Sequence, residues 1–498
     1  MKKIRLSVLT IMIGTFLSKV LGLLRDVILA ANFGANTVSD AYLISTTIPS
    51  LIVGAIATAI LSTYIPVLNS ALKENEEAAE QFNNTAISFS LIIVTMLVLI
   101  FFMVPDFIVS LFVIGFSDSS LDLVVNMTKI TIFMSYFLVL ISIFSSYLQN
   151  QNLFKATSFN GLIFNSISIL GILLSARYNA IIMAYTFVIG YIIATIHLFY
   201  QAYKCGLRIK LNFDYKNKYI KKLLILTLPV ILNSVVWDVN VMIDKTLTST
   251  IGAGYVSGLN YSFKIINVAT DIIAVSIATF IFPKISKFFQ LNDSEKLLKI
   301  FKNSMNLVIL LLIPIAFAIF EFAEPIVKIL FMRGNFNEFA LNITTNSLKL
   351  YVILLPCTGI NIIIYKYFNA IELNNIPAKN ALVSVIFNII LNLIFIKYFG
   401  YKGVIMATVI STWIASLMIM YKLKINKIPR EVFFMWIKTL SKSLIASFIS
   451  INIGSFIFNC NFIVNSMFFN LLLSGIIFLV IYLCLLILLG LKINDVLI

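Results

Sequence analysis

Long apolar runs separated by short polar loops extend from one end of the chain to the other. Each run approaches or exceeds the roughly 20 residues that an α-helix needs to cross a bilayer. The pattern predicts an all-α integral membrane protein with about fourteen transmembrane helices. These helices cover residues 6–31, 38–68, 85–104, 122–148, 156–175, 180–203, 223–250, 254–283, 303–322, 341–369, 379–397, 401–421, 434–458 and 463–490.

Composition excludes several classes of protein. Of 498 residues, 60% are hydrophobic and 12% are charged, whereas an ordinary soluble domain has roughly 25% charged residues. A soluble enzyme, a disordered protein and a peripheral protein with one anchor are therefore excluded. One histidine and four scattered cysteines argue against a histidine proton relay, a zinc site and a disulfide framework. The chain also has no Walker motif, so we expect no ATP hydrolysis. We predict a protein that is not an enzyme and that has no cofactor other than a possible Na⁺ ion.

Charge sets the predicted topology. The chain has 37 Lys and Arg against 21 Asp and Glu, a formal net charge of +16. The basic residues concentrate in 204–222, 284–302 and 422–442, whereas 105–121 has none. Since cytoplasmic loops carry the excess of Lys and Arg, we predict a multi-pass membrane protein with both termini in the cytoplasm.

An internal repeat relates the two halves of the pattern. The run Phe33-Gly34-Ala35-Asn36-Thr37-Val38-Ser39 resembles Ile251-Gly252-Ala253-Gly254-Tyr255-Val256-Ser257, 218 positions later, and Phe164-Asn165 resembles Phe387-Asn388 at an offset of 223. Such repeats are typical of transporters with a substrate site between the halves. We predict a six-helix lobe at 1–203, a basic cytoplasmic linker at 204–222, a second six-helix lobe at 223–422 and two additional helices at 423–498.

Charged residues inside the predicted spans are the main candidates for function, because a charge at mid-bilayer costs about 2.5–3.5 kcal/mol on insertion scales. The first helix carries Lys19, Arg25 and Asp26, and the eighth carries Lys264. Lys19 and Asp26 are about 20° apart on a helical wheel. These residues could form internal ion pairs or lie at the interface. Alternatively, the three cations line a cavity between the halves and bind an anionic group such as diphosphate.

The opening motif resembles the MurJ (MviN) lipid II flippases of the multidrug/oligosaccharidyl-lipid/polysaccharide exporter superfamily. The resemblance rests on Ser18-Lys19-Val20-Leu21-Gly22-Leu23-Leu24-Arg25-Asp26, Phe33-Gly34-Ala35, Ser39-Asp40-Ala41-Tyr42, Ile48-Pro49-Ser50-Leu51, Ile65-Pro66-Val67-Leu68 and Leu330-Phe331-Met332-Arg333-Gly334-Asn335-Phe336. It implies two six-helix lobes around a central cavity, with the last two helices shaping a groove for a lipid tail.

The resemblance also assigns roles to residues. The cationic cavity positions of the family fall on Lys19, Arg25 and Lys264, and the predicted substrate site adds Ser18, Asp26 and Asp40. Asp26 would orient Arg25. The chain departs from the family at Val53, where relatives often have a basic residue.

A cation site is a separate hypothesis. Asn388 and Asn392 share one face of a helix, and Val404 and Thr408 lie one turn apart on the next. With Asp244 they could supply oxygen ligands to a small hard cation such as Na⁺, as the resemblance also implies. The alternative is that these asparagines hydrogen-bond neighbouring helices.

The predicted function is a flippase that moves lipid II, the undecaprenyl-diphosphate-linked peptidoglycan precursor, from the inner to the outer leaflet by alternating access. One alternative is a flippase for another polyprenyl-diphosphate-linked glycan, such as an O-antigen, capsule or teichoic-type precursor. Another is a cation-coupled drug antiporter, and a third is a scaffold for cell-wall enzymes. The expected partners are the lipid-linked glycan, membrane lipids and cell-wall synthesis enzymes, and no nucleic acid.

Overall fold

The computed structural model describes residues 2–214, 216–425, 428–460 and 466–491; side chains are described for these apart from 2–12, 232–233 and 236–237. Residues 463–465 of the last predicted span lie outside the described residues. Within the described ranges the regular structure is helical. The helices are α1 Lys2–Phe33, α2 Thr37–Leu72, α3 Glu76–Met103, α4 Pro105–Ser110, α5 Asp118–Thr131, α6 Met134–Asn150, α7 Phe154–Ser175, α8 Ile182–Lys204, α9 Lys218–Ser249, α10 Tyr255–Thr270, α11 Ser276–Gln290, α12 Ser294–Glu321, α13 Ala323–Phe331, α14 Glu338–Tyr351, α15 Leu354–Ala370, α16 Asn375–Phe399, α17 Tyr401–Ile425, α18 Arg430–Asn459 and α19 Met467–Leu488. A π-helical segment, Asp271–Val275, joins α10 to α11.

The membrane-spanning character of the chain follows from helix length and hydropathy. In the described part of the chain, eleven helices or continuous helix pairs are long and apolar enough to cross a bilayer, and a bent pair raises the number to twelve. That pair is α14 and α15, which meet at 47°. The prediction of a multi-spanning all-α protein is therefore confirmed. Helices α1 and α9 have 32 residues each.

Two of the predicted spans are broken. The span predicted at 122–148 divides between α5 and α6, and the span predicted at 341–369 divides between α14 and α15. At both breaks the backbone switches to hydrogen bonds three residues apart, as in Phe133 N–H to Ile130 O and Ile353 N–H to Leu350 O. The first break has no nearby Pro or Gly, so the usual sequence signals of a helix break are absent there. The second break has one, because Pro356 lies four residues after Val352 and has no N–H to donate to the Val352 carbonyl.

These irregularities recur at the spacing of the repeat. The breaks at 132–133 and 352–353 are 220 residues apart. Asn152 and Glu372, which lie two residues after the ends of α6 and α15, have positive φ angles of 61° and 63° and are again 220 residues apart. Left-handed backbone is uncommon for residues other than Gly. Local geometry therefore repeats along the chain in step with the sequence match.

The chain forms two compact units, Met1–Ser257 and Gly258–Ile498. In the first unit α1 packs on α7, α7 on α8, and α2 on both α6 and α9. Polar side chains tie α2 to α9: Lys245 Nζ donates to Thr47 Oγ1 at 2.6 Å, and the Thr63 and Thr227 hydroxyls lie 3.0 Å apart. In the second unit α16 packs on α17, and α12 on α15 and α18. The predicted lobes at 1–203 and 223–422 remain a prediction.

Two glycines inside helices should respond oppositely to alanine. A Cβ at Gly403 would lie 2.3 Å from the Phe395 carbonyl oxygen, whereas a Cβ at Gly54 would have no neighbour within 4 Å. We expect Gly403→Ala to cost about 1–3 kcal/mol through steric overlap with backbone. Gly54→Ala should stabilise by about 0.5–1 kcal/mol through lost unfolded-state entropy. Thermal unfolding of the purified variants measures both, and equal shifts for the two would contradict the close approach.

Candidate functional site

The charged pair on α1 is the centre of the candidate site. Arg25 Nε and Nη2 donate to the Asp26 Oδ1 atom at 3.1 and 2.9 Å. Asp26 is 2% exposed and Arg25 is 16% exposed. Consecutive helical residues point about 100° apart, so the Arg25 side chain bends around the helix to reach its neighbour. The pair leaves Arg25 with further N–H donors out of the five that a guanidinium has.

Aromatic rings surround this ion pair. The Arg25 Cζ atom lies 5.9 Å from the centroid of Phe164 on α7. Phe164 contacts Tyr191 at 4.6 Å and Phe187 at 5.1 Å, both on α8, and Phe187 contacts Tyr42 of α2 at 5.9 Å. The rings hold the guanidinium in an environment of low polarity, which strengthens its interaction with an anion. Sequence reasoning missed these four residues because their spacing is also typical of ordinary core.

Lys19 and Ser18 lie one and a half to two turns before Arg25 on α1. The Asn165 Nδ2 atom donates to the Ser18 carbonyl oxygen at 3.2 Å, and a Cβ at Gly161 would lie 2.0 Å from Ser18 Oγ. Ser18 is therefore part of the close α1–α7 packing. Lys19 is exposed, although a helical wheel places it near the same face as Asp26.

Asp40 has a structural role that differs from the predicted one. Its side chain is fully buried. The Gly254 N–H donates to Asp40 Oδ2 at 2.6 Å, and the Ser257 N–H donates to Oδ1 at 2.7 Å. Both donors lie at the start of α10, where the first N–H groups of a helix have no partner within it. Asp40 thus caps α10, and a buried carboxylate already engaged in this way is poorly placed to contact substrate.

The repeat explains why α10 needs this cap. At the start of α2, the Asn36 side chain accepts from Val38 N–H and Ser39 N–H. The equivalent residue in the second copy is Gly254, which has no side chain. Asp40 of the first copy therefore does for α10 what Asn36 does for α2.

Lys264 lies on α10 in the second unit and is half-buried. Lys19 and Arg25 belong to the first unit. The shared cavity of these three cations thus stays a prediction.

Four of the five predicted cation ligands come together between α16 and α17. Asn392 Nδ2 donates to Asn388 Oδ1 at 2.8 Å, Asn388 Nδ2 donates to Thr408 Oγ1 at 3.1 Å, and Thr408 Oγ1 donates to the Val404 carbonyl oxygen at 3.1 Å. Asn388 and Asn392 are 1% and 0% exposed. These oxygens suit a hard cation, and the same bonds also fit simple interhelical packing. Asp244, the fifth residue, belongs to the first unit. Among the described residues no three His, Cys, Asp or Glu side chains form a metal-binding group.

Comparison with known proteins identifies close similarities. The family model described as "Lipid II flippase MurJ" matches residues 29–473. The "Probable lipid II flippase MurJ" of Buchnera aphidicola subsp. Schizaphis graminum is 27% identical over 426 residues, covering 84% of this chain and 82% of that protein.

Solved structures agree with this match. A lipid II flippase MurJ in an inward closed conformation superposes with a TM-score of 0.82 and 26% identity, covering 95% of this chain and 97% of that one. An inward-facing MATE multidrug resistance transporter of the MOP superfamily superposes with a TM-score of 0.70 over 84% of this chain and 97% of that one. At 13% identity the second match shows the fold alone.

Proposed function

Because this chain belongs to the lipid II flippase MurJ family, we propose that it moves lipid II from the inner to the outer leaflet of the cytoplasmic membrane. Lipid II is an undecaprenyl-diphosphate-linked peptidoglycan precursor, so its head group is anionic where it joins the lipid. The observation that carries the proposal is the Arg25–Asp26 pair inside its ring of aromatic side chains. A guanidinium fixed in this way offers preorganised donors to a diphosphate.

The proposed cycle is alternating access. The head group enters a cavity open to the cytoplasm and binds Arg25, with Lys19 and Lys264 adding positive charge. The protein then rearranges and releases the head group on the other side. The polyprenyl tail stays in lipid beside α18 and α19, which expose large apolar side chains such as Phe448, Phe456 and Ile487.

The proposed topology has fourteen spans with both termini in the cytoplasm. It adds α1 and α9 to the helices that meet the length and hydropathy test. The Lys- and Arg-rich segments 204–222, 284–302 and 422–442 support this orientation through the positive-inside rule.

A complementation experiment tests the substrate. A strain depleted of its lipid II flippase should regain growth, and lipid II should become accessible from outside, when this chain is expressed. Rescue of a strain defective in O-antigen or capsule precursor export, without rescue of the lipid II strain, would instead support another polyprenyl-diphosphate cargo. Immunodetection of the chain in the membrane fraction is the control for insertion.

The asparagine network supports a further proposal, that Asn388, Asn392, Val404 and Thr408 bind Na⁺ together with Asp244. Sodium would supply a coupling ion for transport. If Na⁺ binds the folded state, a concentration about ten times its Kd should stabilise the protein by about 1.4 kcal/mol. We expect thermal unfolding to shift upward in NaCl compared with choline chloride at equal ionic strength, and the shift to disappear in Asn388→Ala and Thr408→Val.

The control is Ser384→Ala. Ser384 lies on α16 one turn before Asn388 and donates to the Ser411 carbonyl oxygen at 3.4 Å, so it belongs to the same helix interface. This variant should retain the sodium effect. An equal unfolding temperature of the wild-type protein in NaCl and choline chloride would contradict Na⁺ binding. The asparagines would then serve only in helix packing.

A further inference from the structure

The segment between α8 and α9 has a defined, non-helical structure. Helix α8 ends at Lys204, and Gly206 has a φ angle of +94°. The Leu207 N–H donates to the Ala202 carbonyl oxygen at 3.0 Å, and the Leu207 side chain is buried. Residues 207–214 then continue without helical structure. Gly is suited to this left-handed position because a side chain there would be strained.

Two side chains of α3 hold this segment. The Lys210 N–H donates to Asn84 Oδ1 at 2.8 Å, and the Asn212 N–H donates to Ser88 Oγ at 3.0 Å. Asn84 and Ser88 are one turn apart on α3, and the two donors are two residues apart in the segment. This pattern requires extended backbone, in which alternate side chains point in opposite directions.

The alternation leaves three large apolar side chains uncovered. Ile209, Leu211 and Phe213 are 39%, 69% and 54% exposed. Just before them, α8 exposes Tyr200 and Tyr203 by 53% and 48%. The result is an apolar and aromatic surface on a segment whose backbone is not helical.

Two cations adjoin this surface. The Lys204 Nζ atom lies 4.3 Å from the ring centroid of Tyr200, and the Arg208 Cζ atom lies 4.0 Å from that of Tyr203. Within the described parts of the chain neither cation pairs with a carboxylate. Nearby lysines do so: Lys210 pairs with Glu80 and Lys218 with Glu74. The Lys218 hydrogen bond also lowers the pKa of the Glu74 carboxyl group.

These features together fit only one depth in a membrane. Hydrocarbon cannot satisfy the open backbone groups of an extended segment, and water does not favour three exposed apolar side chains. The interface between them accommodates both, and tyrosine and basic residues are enriched there. The predicted topology places this segment at the cytoplasmic leaflet, whose surface is anionic.

We propose that residues 207–214, with Tyr200, Tyr203 and Lys204, form an interfacial anchor that binds anionic phospholipid head groups. Ile209, Leu211 and Phe213 insert among the upper acyl chains, while Lys204 and Arg208 contact the phosphates. The anchor fixes the connection between α8 and α9 at the membrane surface. The proposed anchor does not depend on which substrate the protein transports.

Tryptophan quenching tests the depth of the anchor. The Leu211→Trp variant is reconstituted in vesicles of phosphatidylcholine and phosphatidylglycerol, with brominated lipids as quenchers, and wild-type emission is subtracted. We expect blue-shifted emission that bromines near the head group quench more than bromines near the bilayer centre. Glu77→Trp, at an exposed site of the α2–α3 hairpin, is the aqueous control.

Three outcomes would overturn the proposal. Emission from Leu211→Trp as red-shifted and unquenched as that from Glu77→Trp would place the segment in water. Stronger quenching by deep bromines would place it in hydrocarbon. Blue-shifted emission that no lipid quenches would mean that protein covers it.

A second comparison tests the head-group contacts. Replacing phosphatidylglycerol with phosphatidylcholine, or adding Lys204→Ala and Arg208→Ala, should reduce the quenching of Leu211→Trp several-fold. The matched control is Lys287→Ala with Lys299→Ala, which removes two exposed cations elsewhere and should leave quenching unchanged. Equal quenching in both lipids, or an equal loss in the control, would refute the anionic preference.

Discussion

We expect replacement of Arg25 with alanine to abolish rescue of a strain depleted of its lipid II flippase, while the protein still reaches the membrane. The change removes the guanidinium proposed to bind the diphosphate, and truncation of a buried charge-paired contact typically costs about 2–5 kcal/mol. Arg25→Lys should give partial rescue, because it keeps the charge but loses the planar fork. Accessibility of lipid II from outside is the measurement.

The main confounding effect is the loss of the Asp26 ion pair with Arg25. Asp26 is 2% exposed, so Arg25→Ala alone removes the ion pair of a buried carboxylate, which is destabilising. The double variant Arg25→Ala with Asp26→Ala removes both charges and should be stable yet inactive. Arg177→Ala, at an exposed site between α7 and α8, is the matched control. Full transport by the double variant would refute the role of Arg25.

Lys19→Ala and Lys264→Ala extend the same test to the other two cations. Each should reduce transport, because each is proposed to add positive charge at the head-group site. Normal transport in both would confine the site to Arg25.

Asp40→Ala should weaken the start of α10. The substitution removes two charge-assisted hydrogen bonds at 2.6 and 2.7 Å and leaves the N–H groups of Gly254 and Ser257 without their buried acceptor. Hydrogen bonds to charged groups contribute about 1.5–3 kcal/mol each. We expect a lower unfolding temperature and faster amide hydrogen exchange over 254–258.

Asn36→Ala is the comparison for this effect. It removes the side-chain cap of α2, which comes from the residue directly before that helix. Loss of a helix N-cap typically costs about 1 kcal/mol. In the Asn36→Ala variant, faster amide hydrogen exchange should be confined to residues near 36–39. If Asp40→Ala leaves exchange over 254–258 unchanged, the cap does not hold α10.

Several features of the fold could be predicted from sequence because they depend on local pattern. Apolar runs predicted the membrane helices. Arg25 and Asp26 are adjacent in sequence, and the Arg25 side chain donates a hydrogen bond to Asp26. The repeat aligns Gly34 with Gly252, and both have positive φ angles, of 67° and 150°.

Other features depend on contacts distant in sequence. The ring around Arg25 draws Tyr42, Phe164, Phe187 and Tyr191 from three helices. Tyr42 belongs to the family motif and Phe164 to the internal repeat, but neither pattern indicates that the four residues meet at Arg25. Asp40 was predicted to contact substrate because it belongs to the opening motif. Its actual partners lie more than 200 residues away, so only the fold reveals the cap.

Among the described residues, Asp271–Val275 is the one π-helical segment, and it inserts one extra residue into a membrane helix. A π turn arises when an extra residue widens an α-helix, so the flanking stretches keep the faces they would have without it. Elsewhere in a span, deleting one residue rotates everything beyond it by about 100°. Deleting one residue within this segment would restore a regular α-helix. Lys264 before the segment and Lys284 after it would then keep the helix faces that they have now. Natural length variation in this family should therefore be tolerated at this turn and selected against in the rest of the helix.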